Sequence, residues 1–190
     1  DATFGRGGHS RAILDRLGIP YLVGGSLASS AYGTIRTTAD ADLVIDLRRD
    51  QVALLAAELE GEFYVSREAM AEAVEDRRSF NAICLDSAFK IDFFVLGASR
   101  FDREEFARRT TRAADSEGRR QLVFKTPEDT ILRKLQWFRA GGEVSEQQWK
   151  DVLGVLGVCR GSLDELYLDR WASELGVTDL LVKARGQARV

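Results

Sequence analysis

Histidine is nearly absent from this chain: His9 is the one imidazole among 190 residues. One histidine cannot build a histidine metal site, and His9 reads as an exposed tail residue. Cysteine is scarce as well. Cys84 and Cys159 lie far apart in apolar runs, which predicts reduced core thiols and a cytoplasmic protein rather than a disulfide scaffold. No apolar run approaches the roughly 18 to 20 residues of a membrane span, and no signal peptide is visible. Net charge is only −3, which argues against a nucleic-acid coat or a membrane-surface protein. No internal repeat or low-complexity tract occurs. The first residue is Asp1, so the true start is expected to be missing or altered. The two prolines act as punctuation: Pro20 opens a strand and Pro127 opens a helix.

What is present is enough to form a core, with 45% apolar residues. That suits one domain with a helical extension. The organising stretch is Leu22-Val23-Gly24-Gly25-Ser26. The run Tyr21 to Val23 reads as a buried strand, and Leu27 to Tyr32 is compatible with a helix. Strand, glycines and helix start together place free backbone N–H groups where an anion is favoured. Glycine also lets a ligand come close to the backbone.

The opposite charge follows. Asp40 and Asp42 enter the run Leu43-Val44-Ile45. Residues two apart in a strand share a face, so both carboxylates point one way and Ala41, Leu43 and Ile45 the other. Two such carboxylates repel unless a cation is supplied. A hard divalent ion such as Mg²⁺ is the natural choice. Downstream, Phe89 to Val95 alternates as a half-buried strand does. There Asp92 shares a face with Lys90 and Phe94. An aspartate in so apolar a strand must be paired or metal-bound. If the two strands are neighbours, Asp40, Asp42 and Asp92 form one cluster. Each has a competing local reading: Asp40 as a loop cap, Asp42 paired with Arg36, and Asp92 paired with Lys90 or a buried arginine.

The remaining chain reads as follows. Arg11 to Leu17 forms a helix ending at Gly18, and Asp50 caps a helix through Leu54, Leu55 and Leu59. Phe63-Tyr64-Val65 is a short strand, and Ser66 caps another helix. Asn81 to Leu85 and Phe89 to Leu96 form a hairpin around Asp86-Ser87. Arg100 to Lys125 is rich in arginine, including Arg119 and Arg120. With acids interspersed, it reads as a solvated helix and a hairpin turning at Glu117-Gly118 ahead of an RNA contact. Thr126 caps a helix whose core side carries Ile131, Leu132, Leu135 and Phe138. Ser145 caps the next, and two further helices complete the chain. Trp137, Trp149 and Trp171 read as packing anchors. The result is an α+β fold: a mixed β-sheet with helices on one side, followed by a C-terminal helical part.

Taken together, Gly24-Gly25-Ser26-Leu27-Ala28, Tyr32-Gly33, Arg36-Thr37-Thr38 and Asp40-Ala41-Asp42-Leu43, with the lone strand Asp92, resemble the nucleotidyltransferases of the polymerase-beta superfamily. Within it they resemble the bacterial branch of AbiEii-type toxins and their uncharacterised relatives. The resemblance continues through Thr126-Pro127-Glu128-Asp129 and Leu132-Arg133-Lys134-Leu135, and ends in Gln148-Trp149-Lys150-Asp151. It implies a nucleotidyltransferase core over residues 1–126 and a helical subdomain over 127–190. The implied reaction is NMP transfer from an NTP to an acceptor hydroxyl with release of pyrophosphate, and the implied cofactor is Mg²⁺, as two ions. Asp40, Asp42 and Asp92 would be the catalytic residues and metal ligands. Gly24, Gly25, Ser26, Arg36, Lys134 and Asp151 would bind the nucleotide. Acceptors in the family range from RNA and tRNA ends to proteins and small molecules, and an antitoxin protein is the implied partner. The alternative is a nucleotide- or RNA-binding module without catalysis. Ala41 stands where a bulkier aliphatic residue is commoner, and the chain is short beside full-length toxins.

Overall fold

A computed structural model describes residues 11–32, 40–87, 89–113 and 121–188. His9, Gly33, Arg36, Thr37, Thr38 and the expected turn at Glu117-Gly118, with Arg119 and Arg120, lie outside the described residues.

The described part of helix α1 is residues 11–16, and Gly18 turns the chain with φ +60°. Then follow β1 (Tyr21–Val23), α2 (Gly25–Ala31), β2 (Asp40–Ile45), a 3₁₀ turn (Arg49–Gln51), α3 (Val52–Leu59), β3 (Phe63–Tyr64), α4 (Arg67–Asp76), β4 (Ser79–Cys84), β5 (Lys90–Val95), α5 (Arg100–Ala107), β6 (Thr110–Ala113) and β7 (Gln121–Phe124). Four helices close the chain: α6 (Pro127–Ala140), α7 (Glu146–Val158), α8 (Glu165–Glu174) and α9 (Thr178–Gln187). The chain divides into two compact units, one of residues 1–25 and 37–124, the other of residues 26–36 and 125–190.

The first unit contains one seven-stranded sheet in the order β3-β4-β5-β2-β1-β7-β6. It is mixed: β2 runs parallel to β5 and β1 to β7, whereas β1–β2, β3–β4, β4–β5 and β6–β7 are antiparallel. The fold class is α+β. Its core follows from the alternation in the sequence. Ala41, Leu43 and Ile45 of β2, Phe80 and Ala82 of β4, and Ile91, Phe93 and Val95 of β5 are all buried. Phe80 and Phe93 stack with centroids 5.0 Å apart. Fully burying side chains of this size stabilises by about 2 kcal/mol each. The opposite face of these strands is half-buried or exposed. The hairpin at Asp86-Ser87 forms as expected, with the Cys84 amide donating to the Phe89 carbonyl at 2.8 Å. Cys84 and Cys159 are not joined to each other.

Two local expectations change. Asp50 does not cap α3. The helix is entered through the 3₁₀ turn, where the Arg48 amide donates to Gln51 Oε1 at 3.1 Å, and Asp50 pairs with Arg48 instead. The caps at Ser66, Thr126 and Ser145 are present.

In the second unit, α6 buries Ile131, Leu132, Leu135 and Phe138. Thr126 Oγ1 and Tyr167 Oη both donate to the buried Asp129 carboxylate, at 2.7 and 2.6 Å, joining the start of α6 to α8. Trp149 packs on Phe138 and donates to Gln187 Oε1 at 2.7 Å, and Trp171 is buried. Trp137 departs from its expected anchoring role and is 59% exposed, because it lies on the flank of α6 away from the apolar stripe. α2 belongs to this unit from Ser26 onward, and Tyr32 Oη donates to the Lys125 carbonyl at 2.7 Å.

Candidate active site

The glycine pair ends β1 beside the acidic strand. β1 pairs with β2 as far as Val23 opposite Leu43, and the Gly24 amide then donates to the Asp42 carbonyl at 2.8 Å. Gly25 follows with φ +54°, a left-handed conformation that glycine adopts without steric cost. A Cβ on Gly25 would lie 1.7 Å from Asp42 Oδ2 and 2.5 Å from its Cγ. No other residue allows the Asp42 carboxylate to sit against this bend. Ser26 is the next residue, in a helix of seven residues, and its carbonyl accepts from Ser30 Oγ at 3.0 Å.

The parallel pairing of β2 with β5 brings the acids to one surface. Asp42 lies opposite Asp92, and Asp40 opposite Lys90. Neighbouring strands are about 4.8 Å apart, and paired residues in register share a face. From the other side, β4 places Asn81 opposite Asp92. Asn81, Asp92, Asp42 and the Gly24 backbone therefore form one row across adjacent strands. Asn81 is the residue that sequence reasoning misses. Its signal is the alternation of β4, in which Ser79, Asn81 and Ile83 share the uncovered face.

Lys90 supplies the positive charge. Its Nζ lies 2.8 Å from Asp92 Oδ2, with the side chains 38% and 22% exposed. The amine is held above its ordinary pKa, first by the hydrogen bond to Asp92, against partial burial, and then by the charges of Asp92, Asp40 and Asp42. All three carboxylates thus act on one ammonium. Among the described residues, no three His, Cys, Asp or Glu side chains are gathered closely enough to hold a metal ion as they stand. The donor chemistry nevertheless suits Mg²⁺: the cluster offers hard carboxylate oxygens and already attracts a cation.

Lys134 and Asp151 meet within the second unit. Lys134 Nζ donates to Asp151 Oδ2 at 2.6 Å, with side chains 9% and 0% exposed, and Gln147 Nε2 donates to Asp151 Oδ1 at 2.9 Å. This buried pair bridges α6 and α7. Arg36 lies outside the described residues.

No protein-family model and no curated protein sequence matches the chain. Solved structures do. The chain is similar to the antibiotic-resistance factor ANT(2'')-Ia, with TM-score 0.54, 16% identity and 94% of both chains covered. It is similar to an antigenic nucleotidyltransferase-like protein from Paracoccidioides brasiliensis, with TM-score 0.53, 16% identity, and 93% of this chain and 89% of that one covered. The fold is nucleotidyltransferase-like. A lower similarity, at TM-score 0.47, 12% identity, and 77% of this chain and 92% of the other covered, is to the lincosamide antibiotic adenylyltransferase LnuA, lincomycin-bound. In this nucleotidyltransferase-like fold the glycine bend and the three aspartates belong to one sheet. Among the described residues no helix is long and apolar enough to cross a membrane.

Proposed function

We propose that this protein is a Mg²⁺-dependent nucleotidyltransferase that moves an NMP from an NTP to an acceptor hydroxyl and releases pyrophosphate. The observation that carries this reading is the register of β2 and β5, which sets Asp42 opposite Asp92 beside the Gly24-Gly25 bend. Asp40 and Asp42 would hold Mg²⁺, and Asp92 would share a second ion. When bound, the metal supplies charge stabilisation to the attacking and leaving oxygens. The chain's own part is positioning and proton handling. The bend at Gly25 holds the Asp42 carboxylate in place, and the triphosphate would lie against Gly25, Ser26 and the helix start that follows. Asp92 accepts the proton of the acceptor hydroxyl. Arg36, Lys134 and Asp151 complete the nucleotide contacts on the strength of the sequence resemblance.

The acceptor is an RNA or tRNA end, a protein or a small molecule. One structural neighbour is an antibiotic-resistance factor, which puts small hydroxyl compounds first among those to test. An AbiEii-like role would add an antitoxin partner and a cytoplasmic location. One feature favours the rival reading of a nucleotide- or RNA-binding module without catalysis: Asp92 is already engaged by Lys90. The two separate cleanly. Labelled NTPs with Mg²⁺ are incubated with total RNA, cell protein and a panel of hydroxylated antibiotics. Transfer by the wild type that falls at least about a hundredfold in Asp42→Ala supports the enzyme. Nucleotide binding without transfer to any acceptor supports the module.

A further inference from the structure

We propose that the β3–β4 edge of the sheet is the acceptor site, and that the acceptor is a small hydroxyl compound carrying an aryl or alkyl group. The inference rests on the nucleotidyltransferase reading above and names the substrate class of that same site. Three large apolar side chains stand exposed together at this edge: Tyr64 at 66%, Ile83 at 36% and Leu85 at 61%. The registers make them neighbours. Tyr64 pairs with Ile83 across β3 and β4, and the Leu85 amide continues that ladder by donating to the Glu62 carbonyl at 3.0 Å. Asn81, two residues before Ile83 on β4, is also exposed and pairs with Asp92 of β5. Paired residues in register, and residues two apart on a strand, share a face. The apolar group, Asn81 and Asp92 therefore lie on one side of one sheet, within the first unit.

A single exposed apolar residue is ordinary, but a contiguous group rimmed by polar side chains marks a binding surface. Its position selects the occupant. With strands about 4.8 Å apart and residues about 3.4 Å apart along them, Ile83 stands about 8 Å and Tyr64 about 12 Å from Asp92. Asp92 is the group that takes the proton of the acceptor hydroxyl in the reading above. A compound with its hydroxyl at Asp92 and an apolar end roughly 8 to 12 Å away covers both places. Tyr64 offers a ring face for stacking. Asn81, between the two, offers a donor and an acceptor to a neighbouring hydroxyl. Tyr64, Ile83, Leu85 and Asn81 carry no charge, whereas an RNA backbone is held chiefly by cations. These four side chains suit the apolar end of a small molecule better.

The test uses the full chain, labelled NTPs with Mg²⁺, and acceptors in pairs: phenyl and octyl β-D-glucoside against methyl β-D-glucoside, beside hydroxylated antibiotics, total RNA and cell protein. Label is expected in compounds that carry an aryl or alkyl group. For the best of them, Tyr64→Ala should raise the acceptor KM about tenfold and Ile83→Thr about threefold. The kcat and the KM for NTP should stay within about twofold of the wild type, as when ground-state binding alone is lost. Tyr64→Phe keeps the ring and should behave like the wild type, as should Leu54→Ser, an exposed position on α3 rather than on these strands. Each variant alters an exposed side chain, and equal melting temperatures verify the fold. Unchanged acceptor KM in both Tyr64→Ala and Ile83→Thr, or equal use of the methyl and phenyl glucosides, overturns the acceptor site and leaves the enzyme reading standing. Label only in RNA or protein overturns the choice of a small acceptor, again with the enzyme reading intact. No transfer to any acceptor overturns the enzyme reading, and the acceptor site with it.

Discussion

Gly25 carries more of the site than its size suggests. Its φ of +54° already penalises any side chain, and the added Cβ would fall on the Asp42 carboxylate. The atom struck is the far end of a side chain, so Gly25→Ala displaces the carboxylate more than the backbone. The expected result is a folded protein, destabilised by about 1 to 2 kcal/mol, with transfer activity lost. Urea unfolding and the labelled-NTP assay measure the two effects separately. Retained activity would show that the position of Asp42 is not needed. A second residue-scale feature lies in the other unit. Asp129 is buried, and its Oδ1 accepts from Tyr167 Oη. Tyr167→Phe removes that donor from a charged acceptor and should cost about 1 to 3 kcal/mol. Thr126 Oγ1 still satisfies Oδ2, so the protein should fold and unfold in a single transition, with a lower urea midpoint.

At the scale of elements, two of the ion pairs that tie helices of the second unit to one another differ in character. Lys134 and Asp151 are buried between α6 and α7. Removing one partner strands the other, so Lys134→Met should cost about 3 to 5 kcal/mol, while the double replacement Lys134→Met with Asp151→Leu should recover most of it. The double variant also tests the nucleotide contact: restored stability without restored NTP transfer would assign the pair a part in binding. Arg139 of α6 and Asp179 of α9 pair at the surface, 2.6 Å apart. The hydrogen bond from Arg139, and then its charge, hold Asp179 below its ordinary 3.8. A lowered carboxylate pKa stabilises the fold above the unfolded value, and that contribution is lost as pH falls through the folded value. Melting temperature measured from about pH 6 to about pH 2 should therefore fall less steeply below 3.8 in Asp179→Asn than in the wild type.

For the molecule as a whole, the reading predicts dependence on divalent ions. EDTA should abolish transfer, and Mg²⁺ should restore it. A saturating Mg²⁺–NTP mixture should raise the melting temperature, because a ligand that binds only the folded state stabilises it by mass action. Asp42→Asn should remove most of that rise.

How much of this was legible depended on the range of the interactions. The caps at Ser66, Thr126 and Ser145 are local hydrogen bonds spanning three residues, and the β4–β5 hairpin closes over a short turn. Such features are written in neighbouring residues. The alternation of β2 and β5 likewise fixed which side of each strand would be polar. Asp50 was misread because a capping aspartate and a surface partner for Arg48 look alike in sequence, and only the 3₁₀ entry to α3 separates them. Trp137 was misread because helical periodicity leaves a flank residue ambiguous until the neighbours of α6 are known.

The sequence by itself determined the glycine bend, the face on which each aspartate lies and the polarity of every well-patterned strand, since these follow from backbone periodicity and side-chain chemistry within a few residues. Only the tertiary structure decided that β2 lies beside β5 in the register that matches Asp42 with Asp92, that Asn81 joins their row, and that Lys90 shares its charge with all three acids. Strand order is set by the closure of a sheet around one core, a property of long-range packing that no window of sequence contains.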